Sequence, residues 1–154
     1  MLDNRRSEEK GEVQEEKVAS DGSLMPLLGL VFWRMKRAFE REVGVSAATW
    51  FLLTMVIGKD GISQGEVSHK FDVDPSRITR LAQRLEGEGL LLRKRDLEDN
   101  RVVRLHVTEE GRLLIQSCQE RRERFEDHIQ GEFSAEELAE FRRTLKVVAR
   151  LMNG

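Results

Sequence analysis

The sequence has few of the features that mark extracellular or membrane proteins. It contains one cysteine, Cys118, in 154 residues, so it cannot form an internal disulfide, which favours a reducing compartment. No apolar run approaches the roughly 20 residues that a membrane-spanning helix needs. The first ten residues, MLDNRRSEEK, are polar almost throughout and lack the apolar segment of a secretory signal. We therefore expect a cytoplasmic protein with no membrane partner.

Motifs for catalysis, metal binding and cofactor binding are also missing. The three histidines, His69, His106 and His128, have no zinc-ligand spacing with one another or with Cys118. The sequence has no glycine-rich phosphate loop and no nucleophile motif. We therefore expect a protein that is not an enzyme and uses no metal or cofactor. Cys118 lies on an apolar side of a long predicted helix, where packing is the expected role and redox sensing the alternative.

Charge of one sign does not dominate the chain, but it is unevenly distributed. The net charge of −2 is not typical of a nucleic-acid-binding protein. Between Arg77 and Arg104, however, eight basic residues stand against five acidic ones, a local balance of +3. Residues 1–22 have four basic and seven acidic residues and no aromatic residue. Because attraction depends on where the charges lie, the distribution of charge is more informative than the net charge. Residues 1–22 are expected to form a disordered polar tail.

The spacing of apolar residues predicts a mainly α-helical chain with one small β-hairpin. A first amphipathic helix should begin at Leu24 and end at Gly44. Ser46 is a favourable N-cap for an apolar second helix through Ile57, which we expect to be the buried centre of the domain. Ile62 is expected to supply a short strand that pairs with the hairpin. The expected N-cap residues of later helices are Ser63, Asp74, Thr108 and Ser134.

The stretch from Asp74 to Thr108 has the pattern of a DNA-reading helix followed by a hairpin. Pro75 suits a first helical turn, and an apolar stripe marks the inner side of the helix. The outer side carries side chains that can reach phosphates and base edges: Ser76, Arg77, Thr79, Arg80, Gln83 and Arg84. Strands are expected at about Leu90–Arg95 and Arg101–Val107. A short helix, this reader helix and a charged hairpin form the layout of a winged helix-turn-helix.

Further candidate contacts flank the reader helix. The candidate phosphate partners on the strand that enters the hairpin are Arg93, Lys94 and Arg95. Their alternative role is to pair with Asp96 and Glu98 in the hairpin loop. Ser63 and Gln64 open the preceding helix, where backbone N–H groups favour a phosphate.

Aromatic residues are candidates for a small-molecule pocket between the outer helices and the DNA-reading unit. They are Phe32, Trp33 and Trp50. The alternative is that they are ordinary core residues. A ligand in such a pocket would be a small aromatic or anionic inducer, and Arg34 or Arg37 would meet an acidic group on it.

The run from Val67 to Gly111 resembles the MarR (multiple antibiotic resistance regulator) family of winged helix-turn-helix transcription factors. The matching segments are Ser76–Leu81, Arg84–Glu86 leading to Gly89–Leu91, then Arg93, Asp99 with Arg101, and Val107–Gly111. The order of the predicted helices across residues 24–152 also fits. The combination of Asp-x-Arg in the hairpin with Thr-x-x-Gly beyond it is the most specific part of the match.

The resemblance implies a homodimer that binds a palindromic operator, usually as a repressor, and is released by a small ligand or by oxidation. It divides the chain into an N-terminal dimerisation helix (23–44), a winged helix-turn-helix DNA-binding unit (45–111) and C-terminal dimerisation helices (112–154). Asp99 and Arg101 would brace the wing, with Arg101 in or near the minor groove. Asn100 is a departure, because the family often has a second arginine there. The alternative function is a winged-helix protein-interaction module without operator binding, which the near-neutral net charge favours.

Overall fold

The computed structural model describes residues 23–152. The polar tail predicted for residues 1–22 lies outside the described residues. The chain divides into two compact units, one ending at Ala38 and one beginning at Phe39. None of the described helices is both long enough and apolar enough to cross a membrane.

The described residues form a mainly helical fold with one small antiparallel sheet, as the sequence predicts. The elements are α1 (Leu24–Val43), α2 (Ala47–Gly58), β1 (Ile62–Ser63), α3 (Gln64–Phe71), α4 (Pro75–Gly87), β2 (Leu91–Arg95), β3 (Val103–Val107), α5 (Glu109–Gly131) and α6 (Ala135–Met152). The sheet has the order β1-β3-β2, and β2 and β3 form the wing. Its register pairs Leu91 with Val107 and Ile62 with Leu105. The predicted strand at Ile62 is therefore confirmed, and the hairpin strands begin one and two residues later than expected.

Helix starts are where their capping residues predict them. Ser46 accepts a hydrogen bond from the backbone N–H of Thr49 at 3.1 Å. Asp74 accepts one from the N–H of Ser76 at 2.8 Å, and Pro75 occupies the first turn of α4. The other expected caps, Ser63, Thr108 and Ser134, accept from the N–H groups of Glu66, Gly111 and Glu137. Each cap satisfies a backbone donor that has no partner within its own helix.

The core of the larger unit lies between α2, α3, α4 and the sheet. Its fully buried side chains include Leu52, Leu53, Val56, Val67, Ala82, Leu85, Leu91 and Leu105. The prediction that α2 is the buried centre of the domain is confirmed for Leu52, Leu53 and Val56, whereas Phe51 is 49% exposed. The helix α2 packs against α4, α5 and β3. Phe51 contacts Phe71 of α3 edge to face at 6.1 Å. Cys118 is fully buried on α5, which confirms the packing role expected for it.

The outer helices leave apolar side chains uncovered. No residue of α6 is buried, and Phe141, Leu145 and Met152 are exposed on its predicted apolar stripe. In the unit that ends at Ala38, the exposed apolar side chains of α1 include Leu24, Met25, Leu28, Val31, Phe32 and Trp33. Exposed stripes of this length are unusual in a monomer and mark surfaces that contact another molecule.

Candidate nucleic-acid interface

The reader helix α4 is oriented by its own apolar stripe and by a tight connection to α3. Ile78, Ala82 and Leu85 are buried, so the opposite side of the helix faces solvent. In the connection, Asp72 adopts a left-handed conformation with φ of 50°, and the Ser68 hydroxyl donates to the carbonyl of Val73 at 2.5 Å. These contacts fix the angle at which α4 leaves α3.

The outer side of α4 carries the polar residues that the sequence singles out. Ser76, Arg77, Arg80, Gln83 and Arg84 are exposed, and Thr79 is half-buried. Arg80 donates from Nη2 to the Ser76 hydroxyl at 3.2 Å. Ser and Arg side chains one turn apart are therefore held together on the solvent face, where a phosphate or base edge can reach both.

Of the two predicted phosphate ligands at the start of α3, Ser63 is engaged within the protein, whereas the Nε2 of Gln64 is buried with no hydrogen-bond partner among the described residues. The Ser63 hydroxyl and N–H both bond Glu66, in a complete capping box. Gln64 accepts from the Thr79 hydroxyl at 3.4 Å and so lies between α3 and α4. Hydrogen bonds to Glu66 from Lys59, and from the N–H and hydroxyl of Ser63, lower the pKa of its carboxyl to about 2. Its negative charge therefore persists beside the N-terminus of α3 and opposes a phosphate there.

Strand β2 carries one basic side chain that is partly buried and two that are exposed. Arg93 donates from its backbone N–H to Glu86 at 2.9 Å, and its Nη1 lies 3.4 Å from the same carboxylate. Its side chain is 22% exposed, so it joins the wing to the end of the reader helix. Lys94 and Arg95 are exposed, and Arg95 donates to the Asn100 carbonyl at 3.0 Å.

Two carboxylates organise the wing loop. Asp96 accepts from the N–H groups of Glu98 and Asp99, both at 2.9 Å, and pairs with Arg104. The alternative role of the basic residues of β2, pairing with Asp96, is not seen among the described residues, because Asp96 pairs with Arg104 of the neighbouring β3. Asp99 accepts from the N–H, Nε and Nη2 of Arg101 at 3.0, 3.1 and 3.2 Å. Arg101 nevertheless remains 91% exposed at the wing tip.

Hydrogen bonds keep both loop carboxylates ionised. The N–H of Asp99, the guanidinium of Arg104 and the N–H of Glu98 lower the pKa of Asp96 to about 2. The Arg101 side chain and N–H lower the pKa of Asp99. Sequence reasoning missed Asp96 and Arg104 as a pair. Only the strand register, which places Arg104 opposite Lys94, brings them together.

The basic side chains of this surface therefore fall into two groups. Four of them pair with carboxylates: Arg84 with Glu88, Arg93 with Glu86, Arg101 with Asp99 and Arg104 with Asp96. Four have no carboxylate at ion-pair distance within residues 23–152: Arg77, Arg80, Lys94 and Arg95. No ion pair among the described residues neutralises this second group, although the charge of Arg77 does act on the carboxylate of Asp74. The group is therefore available to phosphates.

The candidate pocket residues occupy different settings. Phe32 and Trp33 contact each other edge to face at 5.4 Å and are 61% and 62% exposed. Trp50, in the larger unit, is half-buried and contacts Phe39 and Phe51 edge to face. A ligand role for the three stays a prediction. An open groove of about 570 Å³, which the sequence did not predict, is lined by Phe133, Phe141, Thr144 and three glutamates of α6.

Comparison with protein-family models matches residues 45–103 to the MarR family. Among curated relatives, the HTH-type transcriptional regulator YdgJ of Bacillus subtilis (strain 168) is 36% identical over 115 residues, which cover 75% of this chain and 68% of YdgJ. The HTH-type transcriptional repressor MdtR of the same organism is 30% identical over 94 residues, covering 61% of this chain and 60% of MdtR. The family predicted from the reader helix and wing is thus confirmed.

Solved structures share the fold. A crystal structure of MarR is 29% identical, covers 86% of this chain and 92% of its own, and has a TM-score of 0.72. The PcaV regulator of Streptomyces coelicolor, solved with its natural ligand, is 23% identical, covers 86% and 94%, and has a TM-score of 0.78. A cysteine-to-serine mutant of MarR from E. coli, solved with operator DNA, is 22% identical, covers 79% and 90%, and has a TM-score of 0.74.

Proposed function

This chain belongs to the MarR family of HTH-type transcriptional regulators, and from that premise we propose that it binds a palindromic DNA operator as a homodimer, represses transcription, and is released by a small ligand. The observation that carries the DNA-binding part is the group of four unneutralised basic side chains on α4 and β2, described above. They lie on the reader helix and the wing, the two elements that approach DNA in a winged helix.

The proposed contacts differ in kind between the two elements. On α4, Ser76, Arg77 and Arg80 would enter the major groove, where arginine pairs with guanine and hydroxyl groups contact bases or phosphates. Lys94 and Arg95 on β2 would bind phosphates, and Arg101, held by Asp99, would lie in or near the minor groove. The acidic character of the N-terminus of α3 makes Ser63 and Gln64 weaker candidates than these.

The dimeric state is supported by the uncovered apolar side chains of the outer helices. Phe141, Leu145 and Met152 on α6 are between 39% and 70% exposed in the single chain. A second copy would cover them, and a two-fold dimer would present two reader helices to the two halves of a palindrome. The centres of these helices should then lie roughly 34 Å apart in the DNA-bound state.

Repression and ligand release are supported by relatives. MdtR is named as a repressor, and PcaV has been solved with its natural ligand. In this chain the aromatic cluster of Phe32 and Trp33 is the proposed part of the ligand site, and the ligand would be a small aromatic or anionic molecule. Fluorescence of variants with Trp33→Phe and Trp50→Phe would report which tryptophan senses an added aromatic acid.

The salt dependence of DNA binding tests the proposal against the alternative of a protein-interaction module. Fluorescence anisotropy with DNA from upstream of the protein's own gene should show affinity that falls steeply with salt, because each neutralised phosphate contributes a slope of about −0.9. Arg80→Gln should lower the affinity, and Lys94→Gln, which removes a proposed phosphate contact from each copy of the dimer, should make the slope shallower by about 1.8. Arg124→Gln removes the same charge from an exposed position on α5 and should leave the slope unchanged. The proposal would be contradicted if the affinity for DNA changed neither with salt concentration nor in the double variant Arg80→Ala with Arg101→Ala.

A further inference from the structure

Arg84 lies on the reader helix and is half-exposed, yet its guanidinium contacts other residues of the protein. Its Nη2 donates to the hydroxyl oxygen of Thr49 on α2 at 3.0 Å. Its Nη1 lies 3.6 Å from the carboxylate of Glu88, one turn further along. The two contacts use different nitrogens of a rigid, planar group, so they fix the orientation of the side chain.

The acceptor of this hydrogen bond is itself held in place. Thr49 is only 6% exposed, and its hydroxyl oxygen also accepts from the Ser46 hydroxyl at 2.8 Å. The Ser46 oxygen in turn accepts from the N–H of Thr49, as the cap of α2. A threonine oxygen has two acceptor sites, and both are occupied here. Ser46, Thr49 and Arg84 thus form a continuous chain of hydrogen bonds.

This chain joins two functionally different parts of the larger unit. Ser46 and Thr49 lie at the start of α2, directly after the turn that ends α1 at Val43. Arg84 lies in the last turn of α4, the reader helix. The turn between α1 and α2 is held by a further contact, because Arg121 of α5 donates from Nε to the Val43 carbonyl at 3.0 Å. The start of α2 is therefore a fixed point to which the end of the reader helix is attached.

The charge around Arg84 does not favour a phosphate contact. Glu88 lies beside its guanidinium, and the carboxylate of Glu86 pairs with Arg93 nearby. By contrast, Arg80 has the Ser76 hydroxyl as its partner and no carboxylate at ion-pair distance among the described residues. A cation that is already neutralised attracts a phosphate less and releases fewer counterions. The two arginines, one turn apart on one helix, are therefore expected to serve different purposes.

We propose that Thr49 is a positioning residue for DNA reading, which acts through Arg84 to set the orientation of the reader helix, and that Arg84 does not neutralise a phosphate. Ser46 supports Thr49 from the start of the same helix. The inference rests on the proposed DNA-binding function and adds to it a contact outside the DNA surface. It replaces the sequence-based prediction of Arg84 as a DNA ligand.

The test compares affinity and salt slope for operator DNA in the full-length protein. Thr49→Val removes the hydroxyl at nearly constant volume, and Arg84→Lys keeps the charge but loses the planar fork. Both variants, and Arg84→Gln, should bind operator DNA about tenfold more weakly, which is the effect typical of losing one hydrogen bond to a charged group. Their salt slope should be unchanged. Thr49→Ser retains the hydroxyl and should bind like the unaltered protein. Combining Thr49→Val with Arg84→Gln should weaken binding no further than either change alone.

Thermal unfolding of each variant separates positioning from loss of fold, because Arg84 is half-exposed and its replacement should leave the melting temperature nearly unchanged. The inference is overturned if Arg84→Gln makes the salt slope shallower by about 1.8, one phosphate contact for each copy in the dimer, while Thr49→Val binds normally. If Thr49→Val lowers the stability of the protein, the affinity of Arg84→Lys still distinguishes the two roles. Lysine can replace arginine as a phosphate ligand, so DNA affinity would be kept, but it cannot replace the planar guanidinium as a positioning group, so affinity would fall. If the unaltered protein shows no salt-dependent DNA binding, the proposed function itself fails, and this inference fails with it.

Discussion

A Cβ atom on Gly111 would lie 2.2 Å from the carbonyl oxygen of Leu90, closer than a side-chain carbon can approach a backbone oxygen. The same atom would lie 2.8 Å from Cγ2 of Val107. The first turn of α5 therefore packs directly on the backbone that leads into the wing. The Thr108 hydroxyl donates to the Gly89 carbonyl at 2.7 Å and closes the same corner. The base of the wing depends on the absence of a side chain at this position.

Replacement of Gly111 by alanine should destabilise the protein despite the higher helix propensity of alanine. Overpacking typically costs about 1–3 kcal/mol, and here the neighbour is backbone, which cannot turn away as a side chain would. Urea unfolding measures the loss. Gly131→Ala in the same helix is the control, because nothing lies within 4 Å of a Cβ there and the change should be neutral or stabilising by up to about 1 kcal/mol. Equal stabilities for the two variants would show that the corner relaxes freely.

Local sequence patterns predict the helix starts correctly because their causes are local. A capping residue bonds an N–H two or three positions away, as Ser63 and Thr108 do. The apolar stripe of the reader helix likewise follows from helical spacing alone, and Ile78 and Leu85 are buried as predicted. The wing was predictable from its turn residues and alternating strand pattern.

The partners of the basic side chains were not predictable, because they depend on distant segments. The bond from Arg84 to Thr49 spans 35 residues of sequence, and the pair of Arg104 with Asp96 depends on strand register. Sequence spacing treats all arginines of the central segment alike. Only the fold separates Arg80, which faces solvent without a carboxylate at ion-pair distance among the described residues, from Arg93, which is held by Glu86.

Acid should loosen the wing loop through Asp96. Its pKa in the folded protein is about 2, against an ordinary value of 3.8, because the Asp99 N–H, Arg104 and the Glu98 N–H all bond the ionised form. A lowered folded pKa means that the ionised carboxylate stabilises the fold above about pH 4, and that this contribution is lost as the pH falls toward about 2. The difference in unfolding free energy between the unaltered protein and Asp96→Asn should therefore be largest near neutral pH and shrink in that window.

An NMR titration of the Asp96 carboxyl checks the same prediction directly. The midpoint should lie near 2 in the unaltered protein. In Arg104→Gln it should rise but stay below the ordinary value, because the two backbone N–H donors remain. A midpoint at the ordinary value in the unaltered protein would mean that these bonds do not persist in solution.

A carboxylate on the apolar stripe of α6 should prevent dimerisation. Leu145 is 46% exposed in the single chain, and the proposed dimer buries it, so Leu145→Glu would place an unpaired charge in an apolar interface. Sedimentation velocity should show that this variant is a monomer. Fluorescence anisotropy should show that its affinity for operator DNA is much lower. Arg150→Glu introduces the same group on the opposite side of the helix and should leave the dimer intact. A dimer that survives Leu145→Glu would locate the interface elsewhere.

Arginine at position 100 should strengthen the grip of the wing on DNA. The Asn100 side chain is exposed at the wing tip, and its backbone carbonyl accepts a hydrogen bond from Arg95. A positive charge beside Arg101 would add a contact in or near the minor groove in each copy of the dimer, raising the affinity and steepening the salt slope by about 1.8. Asn100→Gln, which adds length without charge, should bind like the unaltered protein. If Asn100→Arg changes neither affinity nor slope while Arg80→Gln does, the reader helix carries the DNA contacts and the wing tip stays away from the duplex.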